Sequence, residues 1–280
     1  MRAPWFETVA RRWHHGRRVG RYWAVRSPEI RAALRAATPD SVLLVGNSHA
    51  EYIGRPDLGG RPSLNIAVGG STAADCARHL ATLHRTVLHR ADRHVPVRCA
   101  ASVLIIGTND IMGWRHPERP RSADRFAAEV RRILGFLEAW SAQVFVAAVP
   151  PVGAWATGRD PEAVAVFSER LAALCAERGH GFFDPFAALR AGQGGRIEGR
   201  IEGRIGGRIG GCIGERVGGL AGSGLYRDGV HMADYTRLAA EIARLVVIDP
   251  RPPGPPAARP ATPNRAAPLR VLRAAWAGRP

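Results

Sequence analysis

Residues 41–50 read SVLLVGNSHA. Ser41–Gly46 is a short apolar run that ends in glycine, and polar and apolar residues do not alternate along it. Such a run is a strand buried on both faces, as parallel strands covered by helices are. The pattern recurs at Leu64–Val68 (LNIAV), Ser102–Ile106 (SVLII), Val144–Val149 (VFVAAV) and, more weakly, Gly181–Asp184 (GFFD).

Amphipathic segments with helix start signals surround these runs. Ser27-Pro28-Glu29 supplies a cap, a first-turn proline and an acid, and predicts a helix to about residue 37. Ser71 is expected to cap a helix to about residue 90, and Ser122 another to about residue 140. Asp160-Pro161-Glu162 opens one that Gly179 ends, and a last helix spans about residues 233–247. Strand–helix repetition implies right-handed crossovers and an open parallel sheet. The expected fold is α/β: a three-layer α/β/α sandwich, flavodoxin-like, with five parallel strands in the order 2-1-3-4-5.

The chain of 280 residues divides by composition. Residues 1–40 read as a peripheral basic segment with a helix at about 27–37. Residues 41–249 form one α/β domain. Residues 194–222 are a Gly/Arg/Ile repeat of period four, expected to be a mobile loop. Residues 250–280 are a Pro/Arg-rich tail, expected to be disordered. An apolar share of 46% with 23% charged residues argues against global disorder. Nothing approaches the roughly 18 apolar residues in a row that a membrane helix needs.

The net charge is +16, and all 40 basic residues are arginine. Residues 1–40 hold nine Arg against three acids, and residues 250–280 hold six Arg and no acid. The region between has 25 Arg and 21 acids. A nucleic-acid reader concentrates basic charge on its folded face, so specific nucleic-acid binding is not expected. The arginine-rich ends read first as solubilising or neutral tails, with weak contacts to anionic surfaces as the alternative. Cys76, Cys99, Cys175 and Cys212 lack metal-ligand spacing and read as thiols in a reducing compartment. The N-terminus lacks an apolar signal core, which predicts a cytoplasmic protein. The chain lacks GxxxxGK[ST] and has no GxGxxG after its first strand, so no cofactor is expected. His79, His84, His89 and His94 recur every five residues and would spiral around a helix, which argues against a metal site.

Ligands of such sheets bind beyond the carboxyl ends of the strands. There the sequence places Gly46-Asn47-Ser48-His49, Gly69-Gly70-Ser71-Thr72, Gly107-Thr108-Asn109-Asp110 and Asp228-Gly229-Val230-His231. Singly, each is an ordinary turn or cap. Together they supply the parts of an acyl-transfer site. Ser48 is the candidate nucleophile, His231 the base, and Asp228 the group that orients the imidazole. The Ser48 N–H, the Gly70 N–H and the Asn109 amide are the candidate oxyanion donors. His49, Trp114 and Trp155 are candidates for a substrate pocket.

These four blocks resemble the SGNH (GDSL) hydrolase superfamily, as does Val149-Pro150-Pro151-Val152 after the fourth strand. The likeness covers about residues 40–248 apart from the repeat. It implies a cofactor-free serine esterase, lipase or carbohydrate O-deacetylase. Asn47 stands where the family usually has Asp, and His49 where it usually has Leu or Ile. Ser48-His49-Ala50 is similar to a branch acting on O-acyl groups of sugars, which points to a small-molecule or carbohydrate ester. An O-acyltransferase with the same triad, or a decayed binding module, remain the alternatives.

Overall fold

The computed structural model describes residues 5–88, 98–153, 156, 158–187, 220, 221 and 227–248. The repeat up to residue 219, the tail from residue 249, His89, His94, Trp155 and Cys212 therefore lie outside the described residues. Five parallel strands form the sheet: β1 (Val42–Gly46), β2 (Ser63–Asn65), β3 (Cys99–Ile105), β4 (Ser141–Ala147) and β6 (Gly181–Phe183). Their order is β2-β1-β3-β4-β6, the expected flavodoxin-like arrangement. A separate ribbon pairs β5 (Val152–Gly153) in parallel with β7 (Leu220–Ala221). The end of the segment read as a repeat loop is thus hydrogen-bonded to the chain after β4. Pairing supplied from elsewhere in the fold overrides weak local strand propensity.

Among the described residues, six α-helices surround the sheet: α1 (Trp5–Arg35), α2 (Ser48–Tyr52), α3 (Ala73–Leu88), α4 (Pro120–Trp140), α5 (Glu162–Arg178) and α6 (Tyr235–Leu245). β1 explains why its run does not alternate. Leu43 and Val45 pack with Ile30 of α1, Leu80 of α3, Leu134 of α4 and Phe167 of α5. Val42 and Leu44 pack on the opposite face with Ala50 of α2 and Leu238 and Ile242 of α6. Successive strand side chains point to opposite faces, so a strand covered twice must be apolar throughout.

The N-terminus departs most from expectation. The helix expected at 27–37 begins at Trp5, with Pro28 inside it. Proline removes the N–H that would meet the Ala24 carbonyl, and the Ser27 hydroxyl approaches that carbonyl instead, at 3.5 Å. Burial carries the helix through: His15, Val19, Ser27, Ile30 and Ala33 are buried along one face. Much of the basic charge of this segment lies on the opposite, exposed face, so the composition misread a packed amphipathic helix as a peripheral segment. Two caps also differ. At α3, Thr72 and Asp75 bond each other's backbone N–H reciprocally, so Thr72 rather than Ser71 does the capping. At α4, Arg119 precedes a first-turn Pro120, and Ser122 instead donates to the His116 carbonyl at 2.8 Å. The Asp160 start and the Gly179 stop of α5 are as expected, with Gly179 left-handed at φ 70°. His79 stacks on Trp23 at 4.2 Å between ring centres, a packing role.

Candidate active site

The turn from β1 into α2 depends on Gly46. Its φ is +138°, and a Cβ there would stand 1.8 Å from the Ile105 carbonyl oxygen. Only glycine fits both demands. Asn47 then caps α2, its Oδ1 accepting the His49 N–H at 3.0 Å. Ser48 becomes the first residue of α2. Its Oγ lies 3.1 Å from Nε2 of His231. On the other side of the imidazole, Nδ1 lies 2.7 Å from Oδ2 of Asp228. Asp228 Oδ1 accepts the backbone N–H groups of Val230 at 3.0 Å and His231 at 2.6 Å. The three-residue spacing therefore folds the acid back onto its own histidine. Burial alone would raise the Asp228 pKa. The hydrogen bonds from the His231 ring and from the two backbone N–H groups outweigh it and hold the carboxyl at about 2.

The loop after β2 brings Gly70 alongside. Its φ is +78°, so it is the backbone conformation, more than crowding, that calls for glycine here. The N–H groups of Ser48 and Gly70 meet no acceptor among the described residues. Asn109 is buried and donates one amide hydrogen to the Ser71 carbonyl at 3.1 Å, which leaves a second hydrogen. The neighbouring Asp110 accepts the Ala73 N–H with both oxygens, at 3.1 and 3.0 Å. Burial pushes this carboxyl up to about 7. Asn65 is an internal clamp: its Nδ2 donates to the carbonyls of Ala50 and Gly54 at 2.8 and 2.7 Å. The four sequence blocks thus meet at the carboxyl ends of β1, β2 and β3.

The three expected pocket residues fare differently. His49 is fully buried, with Nδ1 3.3 Å from the Tyr235 hydroxyl. It supports α2 from beneath and faces no open pocket. Burial, and then the nearby His231 and Arg159, lower its pKa to about 3, so its ring is neutral. Trp114 packs its ring 5.9 Å from that of His15 and lies under the Arg115 guanidinium. Those contacts hold the half-buried Trp114 within its loop, beside α1. Trp155 lies outside the described residues.

Four participants had escaped the sequence reading. Glu51, on α2, accepts the Gly69 N–H and the Tyr22 hydroxyl of α1. Tyr52 sets its ring 5.2 Å from that of His231, and its spacing of four from Ser48 on one helix was a legible signal. Tyr235 follows His231 by four residues and holds His49. Arg159 donates to Asn109 Oδ1 at 3.3 Å and to the Thr108 carbonyl at 3.2 Å. Among 40 arginines nothing local marks it.

Among the described residues no three His, Cys, Asp or Glu side chains could together hold a metal ion. Among them also, no helix is long and apolar enough to cross a membrane.

Solved structures share this fold. A candidate platelet activating factor from Streptococcus pneumonia superposes with a TM-score of 0.56 at 15% identity, over 84% of this chain and 95% of that one. A GDSL-like lipase from Bacteroides thetaiotaomicron gives 0.52 at 17% identity, over 80% and 94%. A candidate acylhydrolase from Bacteroides fragilis gives 0.52, also at 17% identity and over 80% and 94%. No curated protein matches the chain. The family model of the GDSL-like lipases/acylhydrolases matches residues 31–205, from within α1 through the first three blocks, and stops short of Asp228 and His231. With well over half of its length matched by that model, the chain belongs to the GDSL-like lipase/acylhydrolase family and is a hydrolase of ester bonds.

Proposed function

We propose that the chain is a serine esterase that cleaves carboxylic esters through an acyl-enzyme on Ser48. The observation that carries this reading is the aligned series Asp228 Oδ2, His231 Nδ1, His231 Nε2 and Ser48 Oγ, with steps of 2.7 and 3.1 Å. His231 Nε2 takes the Ser48 proton as Oγ attacks the ester carbon. The carbonyl oxygen gains negative charge among the Ser48 N–H, the Gly70 N–H and the free hydrogen of Asn109 Nδ2. Collapse of that intermediate expels the alcohol, which receives the proton from His231. Water then repeats the sequence and releases the acid. Asp228 keeps the imidazole in the right tautomer and steadies its positive charge.

Within esters, an O-acyl group on a carbohydrate is the substrate we favour. Tyr52 is 46% exposed and stands beside His231, where an aromatic face can cover a sugar ring. The buried thiols Cys76 and Cys175 suit a reducing, cytoplasmic setting.

Labelling with a fluorophosphonate probe tests the nucleophile. Wild type should be modified at Ser48 and Ser48→Ala should not. Hydrolysis of p-nitrophenyl esters from acetate to palmitate, beside acetylated xylan, ranks the substrates. A folded protein that neither labels nor turns over any of these esters would refute the reading.

A further inference from the structure

We propose that the substrate carries a negative charge close to its ester, and that Arg159 is the side chain that recognises it. This deepens the esterase reading and rests on it.

Arg159 is held firmly. Its backbone bridges Met112 in antiparallel fashion, and the next residue, Asp160, donates its N–H to the Ile111 carbonyl at 2.9 Å. The side chain then runs to the oxyanion wall. Nε donates to the Thr108 carbonyl and Nη2 to Asn109 Oδ1. A guanidinium has five N–H donors, so three remain for a ligand.

The cation is half-buried, and among the described residues it forms no ion pair. Burial disfavours its charge, and the one carboxylate that offsets this at a distance is Asp228. That carboxylate is already committed to His231. Glu51 is committed to Tyr22, Arg26 and the Gly69 N–H, and Asp110 to the Ala73 N–H. A partly dehydrated cation without a counter-charge is costly, and an incoming anion relieves that cost.

Two more arginines bring the same sign from other segments. Arg18 of α1 is near enough to act electrostatically on Arg159. Arg227 lies over the Tyr52 ring, 5.2 Å from its centre, and Tyr52 adjoins His231. Cations from three separate stretches of chain therefore lie near one another on this side of the fold: Arg159 on Asn109, Arg18 acting on Arg159, and Arg227 over Tyr52. A carboxylate, phosphate or sulfate on the substrate matches the planar fork of Arg159, and the shared field draws such a substrate in.

The test uses pairs of esters that differ in charge. The acyl-side pair is p-nitrophenyl butyrate against p-nitrophenyl hemisuccinate. The leaving-group pair is phenyl acetate against p-carboxyphenyl acetate. In wild type at low salt, at least one charged ester should exceed its neutral partner in kcat/KM by about tenfold, mainly through KM. Arg159→Met should bring that ratio to about one, and Arg159→Lys should keep part of it. Raising the salt to about 0.5 M should erode the wild-type preference. If wild type cleaves the neutral esters with no preference in either pair, the proposal is wrong. It is equally wrong if Arg159→Met slows charged and neutral esters alike, since Arg159 would then act only by holding Asn109. A folded wild type that cleaves none of the four esters overturns the esterase reading, and this proposal goes with it.

Discussion

Tyr22 on α1 donates its phenolic hydrogen to Oε1 of Glu51, three residues beyond Ser48. Oε2 of the same carboxylate accepts the N–H of Gly69, beside Gly70, the proposed oxyanion donor. One carboxylate thus joins the N-terminal helix, the helix that begins at Ser48 and the loop that holds Gly70. α1 supports the site as well as covering the sheet.

The N-terminal helix should therefore be needed. Removing residues 1–21 deletes the buried His15 and also Val19, which is 2% exposed and lies against Gly70. The truncated protein should be poorly soluble or melt well below wild type. The subtler variant Tyr22→Phe keeps the ring and loses one bond to a charged acceptor, worth about 1.5–3 kcal/mol. It should stay folded and lose turnover several-fold with KM nearly unchanged. Full activity in a protein starting at residue 22 would show that the part of α1 before Tyr22 is dispensable.

The site residues should fall into a graded series. Ser48→Ala should abolish turnover. Asn109→Ala should cost roughly a hundred- to a thousandfold in kcat, about 3–4 kcal/mol, with little change in KM. Asp228→Ala should be milder than His231→Ala, because the base stays but loses its orienter. Stopped assays at fixed pH, on variants first checked by circular dichroism, give the order. An Asn109→Ala enzyme with wild-type kcat would remove Asn109 from the oxyanion hole.

His49 should make the fold acid-sensitive. Its folded pKa of about 3 lies below the ordinary 6.5. Between those values the unfolded chain binds the extra proton, so stability falls as pH falls. The loss should reach about 2–3 kcal/mol at pH 4.5 and vanish above about pH 7. His49→Leu forfeits the 3.3 Å contact with Tyr235 and removes this sensitivity. Melting curves of both proteins from pH 4.5 to 7.5 should therefore draw together at low pH. Parallel curves would mean that His49 is not buried neutral.

Gly46→Ala should be among the most damaging single changes. The new methyl would stand 1.8 Å from the Ile105 carbonyl, at a φ that L side chains rarely adopt. Relief requires β1 and β3 to part, costing at least about 3 kcal/mol. Denaturant titration measures it. A drop below 1 kcal/mol would mean that the turn can relax without harm.

Much of the fold was legible because it is written locally. Ser41–Gly46 and Ser102–Ile106 are apolar throughout since helices cover both their faces, and that doubly buried pattern is visible without coordinates. The blocks were legible for the same reason. Gly46, Gly70 and Gly107 each mark a positive φ, and Asp228 reaches His231 within a single turn of backbone. The sequence also ordered the strands, because right-handed crossovers leave few arrangements open.

What the sequence alone determined is therefore the strand–helix alternation, the sheet order and the four blocks that meet at one sheet edge. The tertiary structure decided the rest. Pro28 reads locally as a helix start, yet burial of Val19 and Ile30 carries the helix through it. His49 reads as a pocket residue beside the nucleophile, yet the direction of its side chain buries it. Glu51 and Arg159 belong to the site only through partners 18 to 51 residues away in sequence. Local pattern records which way a residue must bend or face. A bond between groups far apart in the chain, and the charge left without a partner, exist only once packing has brought those groups together.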